Sequence, residues 1–468
     1  MLSSAGTATR PPPSATPATN EHGILQMKPW AIALAIIVAI LAASGPDNTA
    51  TQAGMALFAL AGVLWLTEAI PLTFTALLIP LVAVALGLGD VKSSLSGFAN
   101  PTVFLFLGGF ALAAAMRKHD IDRWLASRVM ALAQGNALTA AFLLILATSL
   151  ISMWISNTAT AVMMLPVALG LLSPMKNQYP RYAILVLLGL AWGANIGGIA
   201  TLVGSPPNAI TAAALGWGFQ DWLRVGMPAY LVIMPVSLVL LWLTLRPEQN
   251  LPAVATTLMP FPAGRQAILT VAIFLLTVTG WVFGSTISSY IGIRGDFDTW
   301  VALLAIALLG LTRVLNWEDI EKQSNWGVLL LFGGGITLSV FMQNSGASSW
   351  MANGLLAWVP GNNPWLLYLL VALFVIFLSE LVSNTACAAL LVPLMMSMAS
   401  VTGLNPVTMA VLTGLAASCS FMLPVGTPPN ALVYGTGRIP QKTMIRAGLV
   451  MNLASAPLLA VIIGTIAT

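Results

Sequence analysis

Two short polar motifs each occur twice in this chain, and their residue types are those that hold small ions. Ser156-Asn157-Thr158-Ala159 recurs in the second half of the chain as Ser383-Asn384-Thr385-Ala386. Gly204-Ser205-Pro206-Pro207-Asn208 recurs there, at nearly the same offset, as Gly426-Thr427-Pro428-Pro429-Asn430. Hydroxyls and carboxamides offer both donors and acceptors. Their donors suit an anionic oxygen, and their oxygens suit a hard cation. The two prolines remove backbone donors and open a helix, which frees carbonyls near Gly204 and Gly426, where glycine lets backbone approach an ion closely. Taken singly, each motif has a plainer reading: Ser-Asn-Thr as a helix cap and Pro-Pro as a kink. Two matched pairs in the same order go beyond capping.

The elements that carry these motifs are apolar. Of 468 residues, Lys and Arg supply 18 and Asp and Glu 14, so charged residues are 7% and hydrophobic ones 58%. Mean hydropathy is +0.91. A soluble domain carries about 25% charged residues. This composition excludes soluble enzymes, nucleic-acid binders and disordered proteins. The apolar runs are also too long and unbroken for an outer-membrane barrel. The fold class is an all-α polytopic membrane protein. Cys387 and Cys419 lie in apolar stretches, and His22 and His119 are the only histidines. A disulfide framework, a thiolate or zinc site, a haem or a histidine relay has little to be built from.

The chain divides into a Pro/Ser/Thr-rich arm at 1–28, expected to be disordered and cytoplasmic, scaffold helices at 29–100, and two copies of one unit at 101–250 and 251–468. The order within each copy is a Gly-Gly helix, an amphipathic stretch (117–134 and 344–358), a Ser-Asn-Thr segment, a Pro-Pro-Asn segment and a final helix. The Ser-Asn-Thr segments, 138–173 and 365–399, are too short for two full crossings each and read as re-entrant hairpins. Eleven crossings plus two hairpins result. Under this scheme Lys and Arg fall mostly inside, including Arg117, Lys118, Arg123, Arg128, Arg313, Lys322, Arg438, Lys442 and Arg446; only Lys92, Arg224 and Arg294 fall outside. The first hairpin then enters from the cytoplasm and the second from outside, so the repeats are inverted.

Polar backbone at membrane depth is costly unless it is buried in protein or lines a cavity. Helix N-terminal ends would favour an anion, and C-terminal ends and unwound carbonyls a cation. Glu68 and Glu380 are the only acids inside apolar stretches. Each is a functional suspect by position, with structural bracing as the competing reading. No Lys or Arg falls in the motifs. An intramembrane enzyme lacks a base there, since no His, Cys or acid pair occurs in them. A channel suits broken helices, but closed hairpin tips in inverted repeats suit alternating access better.

With its paired motifs, Trp65-Leu66-Thr67-Glu68-Ala69-Ile70-Pro71 and Asn195-Ile196-Gly197-Gly198-Ile199-Ala200-Thr201, the chain from about residue 30 resembles the divalent-anion:sodium symporters, the INDY-type dicarboxylate transporters. The resemblance implies a homodimer in the plasma membrane, the inner membrane of a bacterium. It implies a scaffold domain, a mobile transport domain and an elevator mechanism. Sodium ions would be co-transported with C4-dicarboxylates such as succinate, fumarate or malate, without an organic cofactor or a nucleic-acid partner. The alternatives are a dicarboxylate exchanger or a symporter of sulfate or tricarboxylate. By the same resemblance one sodium would be held by Ser152, Ser156, Asn157 and Gly204, and a second by Ser379, Val382, Asn384 and Gly426. Substrate would meet Ser156, Asn157, Thr158, Ser205, Ser383, Asn384, Thr385, Thr427 and Pro428. The chain has Ser379 where Thr is common and Gly426 where some members have Ala; a hydroxyl and a carbonyl remain.

Overall fold

Asparagine and proline mark where the apolar runs become helices. Asn100, Asn363 and Asn405 each accept a bond from the N–H two residues on, and each precedes a proline at the first helical position. The cap fills one orphan donor, and the proline occupies a position whose N–H has no partner anyway. The structure, a computed structural model, describes residues 28–175, 178–254, 258–293, 295–356 and 363–466. Among these it is helical throughout, without strands. The arm with its Arg10, and two further cations of the charge distribution, Lys176 (inside) and Arg294 (outside), lie outside the described residues.

The chain opens with α1 (Pro29–Ala43), α2 (Thr49–Thr67), α3 (Leu72–Ala85) and the short α4 (Val91–Leu95). The first motif-bearing unit follows: α5 (Pro101–Lys118), α6 (Ile121–Ala131), α7 (Ala137–Ser152), α8 (Asn157–Leu172), α9 (Pro180–Ile199), α10 (Pro206–Leu215) and α11 (Phe219–Leu245). Next come α12 (Arg265–Val282), α13 (Gly284–Ile291), α14 (Phe297–Leu311) and α15 (Trp317–Gln323). The second unit is α16 (Trp326–Asn344), α17 (Ala347–Leu356), α18 (Pro364–Ser379), α19 (Asn384–Thr402), α20 (Pro406–Ala417), α21 (Pro428–Tyr434) and α22 (Gln441–Ile466). Element for element, α5 to α11 match α16 to α22.

Three details differ from the sequence reading. The run 266–289 breaks at Phe283 into α12 and α13. Arg117 and Lys118 end α5 rather than opening the amphipathic helix, which starts at Ile121; cations are favoured at a helix C-terminus. Nine helices are long and apolar enough to cross a bilayer among the described residues. α1, α3 and α14, expected to cross, have 15, 14 and 15 residues, or about 21–23 Å against a hydrocarbon core of about 30 Å.

The two units interlock. α3 packs on α16 of the second unit, and α14, which precedes the second unit, packs on α5 of the first. α10 packs on α19 and α20, and α21 packs on α8 and α9. The last turn of α11 lies beside the first turn of its counterpart α22, around a groove lined by Thr244, Leu245, Lys442 and Thr443, so these two helices run in opposite directions. Lys118 bonds Asp319 at 2.5 Å, which holds that carboxyl below the usual carboxylate range and ties α5 to α15. The pair is exposed and contributes little to stability.

Arms α7, α8 and α18 have 16 residues each, about 24 Å, and pack as pairs joined by short bends at 153–156 and 380–383. α7 lies close to α9 because Gly189, Gly193 and Gly197 form one face of α9. A Cβ on Gly193 would meet the Ile145 carbonyl at 2.8 Å, and one on Gly197 would overlap the Ser149 carbonyl. Small residues at this spacing let helix backbones approach. Gly197→Val is therefore expected to destabilise by about 3 kcal/mol or more. The readout is the apparent melting temperature in detergent. Gly170→Val is the control, since a Cβ there meets open space.

Candidate functional site

Each Ser-Asn-Thr motif is a helix start. Ser156 is the N-cap of α8, with its hydroxyl accepting from Ala159 N–H at 3.4 Å, and Asn157 and Thr158 form the first turn. Ser383 stands in the same place before Asn384 and Thr385 of α19. The Pro-Pro-Asn motifs are helix starts too. Pro206-Pro207 and Pro428-Pro429 occupy the first turns of α10 and α21, with Ser205 and Thr427 as N-caps. This corrects the expectation that the prolines open the helix. The α-helix is unwound before them, at 200–205, where Leu202–Gly204 forms a single 3-10 turn, and at 418–427. Among the described residues the Ser205 and Ser383 hydroxyls do not cap their own helices.

What holds the unwound backbone open is the asparagine of each motif. Asn208 Nδ2 donates to the carbonyls of Gly198 at 2.7 Å and Thr201 at 2.8 Å. Asn430 Nδ2 donates to those of Ser420 at 3.2 Å and Leu423 at 3.1 Å. In both copies the clasp reaches the tenth and seventh residues back. The repeat thus extends from sequence to hydrogen bonding. Gly226 and Gly448 also match: each lies on the final helix of its unit, against the unwound backbone of that unit.

The first cluster is built of oxygens. The outer end of the Asn157 amide lies 2.9 Å from Ser152 Oγ, 3.1 Å from the Ala194 carbonyl and 3.2 Å from the Gly204 carbonyl. Ser152 Oγ donates to the Ala194 carbonyl at 2.7 Å. With its nitrogen turned inward, the two amide protons of Asn157 have all three as acceptors within reach. With its oxygen inward, four oxygens face one another, an arrangement that a cation between them would satisfy. A Cβ at Gly198 would overlap the Asn157 amide. Trp154, in the bend, stacks on Phe219 at 6.1 Å and so anchors the bend to the start of α11.

The second cluster repeats this with one change. Ser379 Oγ and Ser420 Oγ lie 2.7 Å apart, and Ser420 donates to Asn384 Oδ1 at 3.2 Å. Ser420 stands where the first copy has Gly198, so a hydroxyl bridges the serine and asparagine that meet directly in the first cluster. Gly426 lies beside this group, because a Cβ there would be 3.3 Å from Ser420 Cβ. Val382 sits half-buried in the bend, its N–H bonded to the Leu378 carbonyl at 3.2 Å.

Adjacent residues of α9 reach the first cluster and the N-cap of α21 in the other unit. The Ala194 carbonyl belongs to the first, and Asn195 Nδ2 donates to Thr427 Oγ1 at 3.0 Å. The side-chain oxygens of Asn195, Asn208 and Asn430 are buried without a donor among the described residues. Thr158 and Pro428, from opposite units, share a groove of about 550 Å3 between α8 and α21.

The sequence profile of citrate transporters matches residues 62–360 and again 299–468. The chain belongs to the citrate transporter family. It is therefore a multi-pass membrane transporter and not an enzyme. It is 44% identical over 423 residues to an uncharacterised transporter of Haemophilus influenzae, covering 89% of this chain and 92% of that one. It is 30% identical over 469 residues to the sodium-dependent dicarboxylate transporter SdcS of Staphylococcus saprophyticus, covering 89% and 87%. Among solved structures, the YdaH transporter of Alcanivorax borkumensis matches with a TM-score of 0.54 and 18% identity over 79% of this chain and 86% of that one. That likeness is one of fold.

Several residues of this family member's site escape motif reading. Ala194 contributes a carbonyl, which no side chain announces. Asn195, Ser420 and Asn452 lie outside both motifs. Sliding the first copy along the chain until Asn208 falls on Asn430 would have found two of them, since it sets Gly198 on Ser420 and Tyr230 on Asn452. Tyr230 and Asn452 do the same work. Each ties the last helix of its unit to its own hairpin, Tyr230 OH to Ser149 Oγ at 2.9 Å and Asn452 Nδ2 to Glu380 Oε1 at 2.7 Å. Glu68 makes none of these contacts among the described residues: it ends α2 in the left-handed conformation, φ 45°.

Proposed function

We propose that this transporter is a sodium-coupled symporter of C4-dicarboxylates, succinate, fumarate or malate, working by an elevator-type alternating-access mechanism in a homodimer of the bacterial inner membrane. The observation that carries the reading is the oxygen cluster of Ser152, Asn157, Ala194 and Gly204 and its counterpart at Ser379, Asn384 and Ser420. Neutral oxygens at this spacing suit a hard cation as cargo. Ser156 and Gly204 would complete the first sodium site, and Val382 and Gly426 the second. The dianion would lie between the clusters, against Ser156, Asn157, Thr158 and Ser205 of one unit and Ser383, Asn384, Thr385, Thr427 and Pro428 of the other. The SdcS relative is named as sodium-dependent and dicarboxylate-transporting, which supports the same reading.

The opposed directions of α11 and α22 support inverted repeats, and the bias of Lys and Arg toward one side would put the N-terminus in the cytoplasm. On this reading helices 29–100 belong to the scaffold, and 138–173 and 365–399 are re-entrant hairpins of the moving part. A second reading follows from the family description, citrate transporter: the cargo is then a tricarboxylate. An exchanger or a sulfate carrier would use the same clusters without net sodium coupling or with a smaller anion.

The test is labelled succinate uptake into proteoliposomes with sodium, lithium or potassium outside. Unlabelled citrate, sulfate and malate are the competitors. Saturable uptake that needs an inward sodium gradient is expected. Uptake that persists without sodium, or that needs internal dicarboxylate, overturns symport. Competition by citrate at lower concentration than by malate overturns the C4 assignment.

A further inference from the structure

The two oxygen clusters differ in charge. The register that pairs Ser152 with Ser379 and Asn157 with Asn384 pairs Met153 with Glu380. Glu380 is fully buried. Its Oε1 accepts from Met422 N–H and Asn452 Nδ2, each at 2.7 Å, and its Oε2 accepts from Leu423 N–H at 2.8 Å. Both oxygens are held by N–H donors, the pattern of an ionised carboxylate. Among the described residues no Lys or Arg pairs with it. A Cβ on Gly426 would sit 2.7 Å from Oε2, so the carboxylate lies directly against the backbone of the second cluster.

Bracing alone does not call for this charge. The first copy ties its hairpin to its unwound backbone with a neutral bond, from the Thr201 hydroxyl to the Met153 carbonyl. Thr201 is the register mate of Leu423, whose N–H binds Glu380. The same junction is thus closed once by a hydroxyl and once by a buried carboxylate. A buried, unpaired charge is costly until an opposite charge comes beside it, and the interaction is strong where the surroundings have low dielectric.

We propose that Glu380 is a positioning residue that makes the second cluster the tighter sodium site, so that it fills before the first. The inference rests on the sodium-coupled reading above. The carboxylate is held close to Gly426, and among the described residues no cation answers its charge. A sodium at Ser379, Asn384 and Gly426 answers it, whereas a sodium at Ser152, Asn157 and Gly204 has no such neighbour.

The experiment is radioactive sodium binding to the purified full-length protein without substrate. Wild type is expected to bind in two phases of unequal affinity. Glu380→Gln is expected to weaken the tight phase at least tenfold and leave the weak phase in place. The double variant E380Q/N452D moves the carboxylate to the other side of the Glu380–Asn452 hydrogen bond, and is expected to recover most of the tight phase. A brace without electrostatic action would not recover, because the glutamine amide that donates to the new carboxylate turns its nitrogen toward the Met422 N–H, which would still lack its acceptor. If E380Q does not fold, Glu380→Asp decides: it keeps the charge and must keep the tight phase within about tenfold. Equal wild-type phases, or phases unchanged in folded E380Q, overturn this inference alone. Wild-type protein without saturable sodium binding overturns the sodium reading and this inference with it.

Discussion

Asn157→Ala and Asn384→Ala are each expected to bring dicarboxylate uptake to background while the protein still reaches the membrane. The Asn157 side chain touches Ser152, the α9 carbonyl of Ala194 and the unwound carbonyl of Gly204 together. Alanine leaves those oxygens without the group that organises them. Each bond lost to a charged group costs about 1.5–3 kcal/mol, roughly 10- to 100-fold in affinity, and Asn157 would make bonds to both sodium and substrate. Asn384 has the same place in the second unit, where Ser420 donates to it. The check is uptake in proteoliposomes normalised to folded protein. Near wild-type uptake by either variant would reduce that asparagine to a helix-start residue and remove its cluster from the mechanism.

The same loss at Asn208 or Asn430 would mean something different. Those amides spend both protons on backbone carbonyls of the unwound segments and hold shape. This separates what could be read from the chain from what could not. The paired motifs were legible because polar residues in an apolar run stand out, and the matched spacing located both clusters. The prolines were misread as the break because a proline inside an apolar run suggests a kink. Two prolines directly after a Ser or Thr at the N-cap position signal a helix start instead. Carbonyl ligands such as that of Ala194 leave no mark in a sequence, since every residue has one. Ser420 and Asn452 were hidden because they sit in stretches without a motif, and only the register of the repeat exposes them. The role of Glu380 needed its contacts: a buried acid beside Ser-Asn-Thr is suspect in any chain, but that it lies against Gly426 is a fact of packing.

Substrate affinity is expected to rise with sodium concentration, by about tenfold or more across the range in which sodium saturates, within the usual span of coupling between sites. A C4-dicarboxylate carries two negative charges, and the motifs hold no Lys or Arg to meet them. The described ion pairs, such as Lys118–Asp319 and Arg224–Asp221, lie outside the clusters. The helix starts at α8, α10 and α19 can each offer about half a positive charge. Glu380 subtracts one charge from the neighbourhood. Two sodium ions would then have to supply most of what the dianion needs, and they would also order Asn157, Thr158, Asn384 and Thr385 for it. By linkage, substrate must raise sodium affinity by the same factor that sodium raises substrate affinity. The measurement is a succinate binding isotherm on purified protein over a sodium series, with choline holding ionic strength constant. A dissociation constant that stays flat across the series would mean that the dianion is neutralised by groups other than sodium, and the oxygen clusters would then have to be read as hydrogen-bonded helix starts and nothing more.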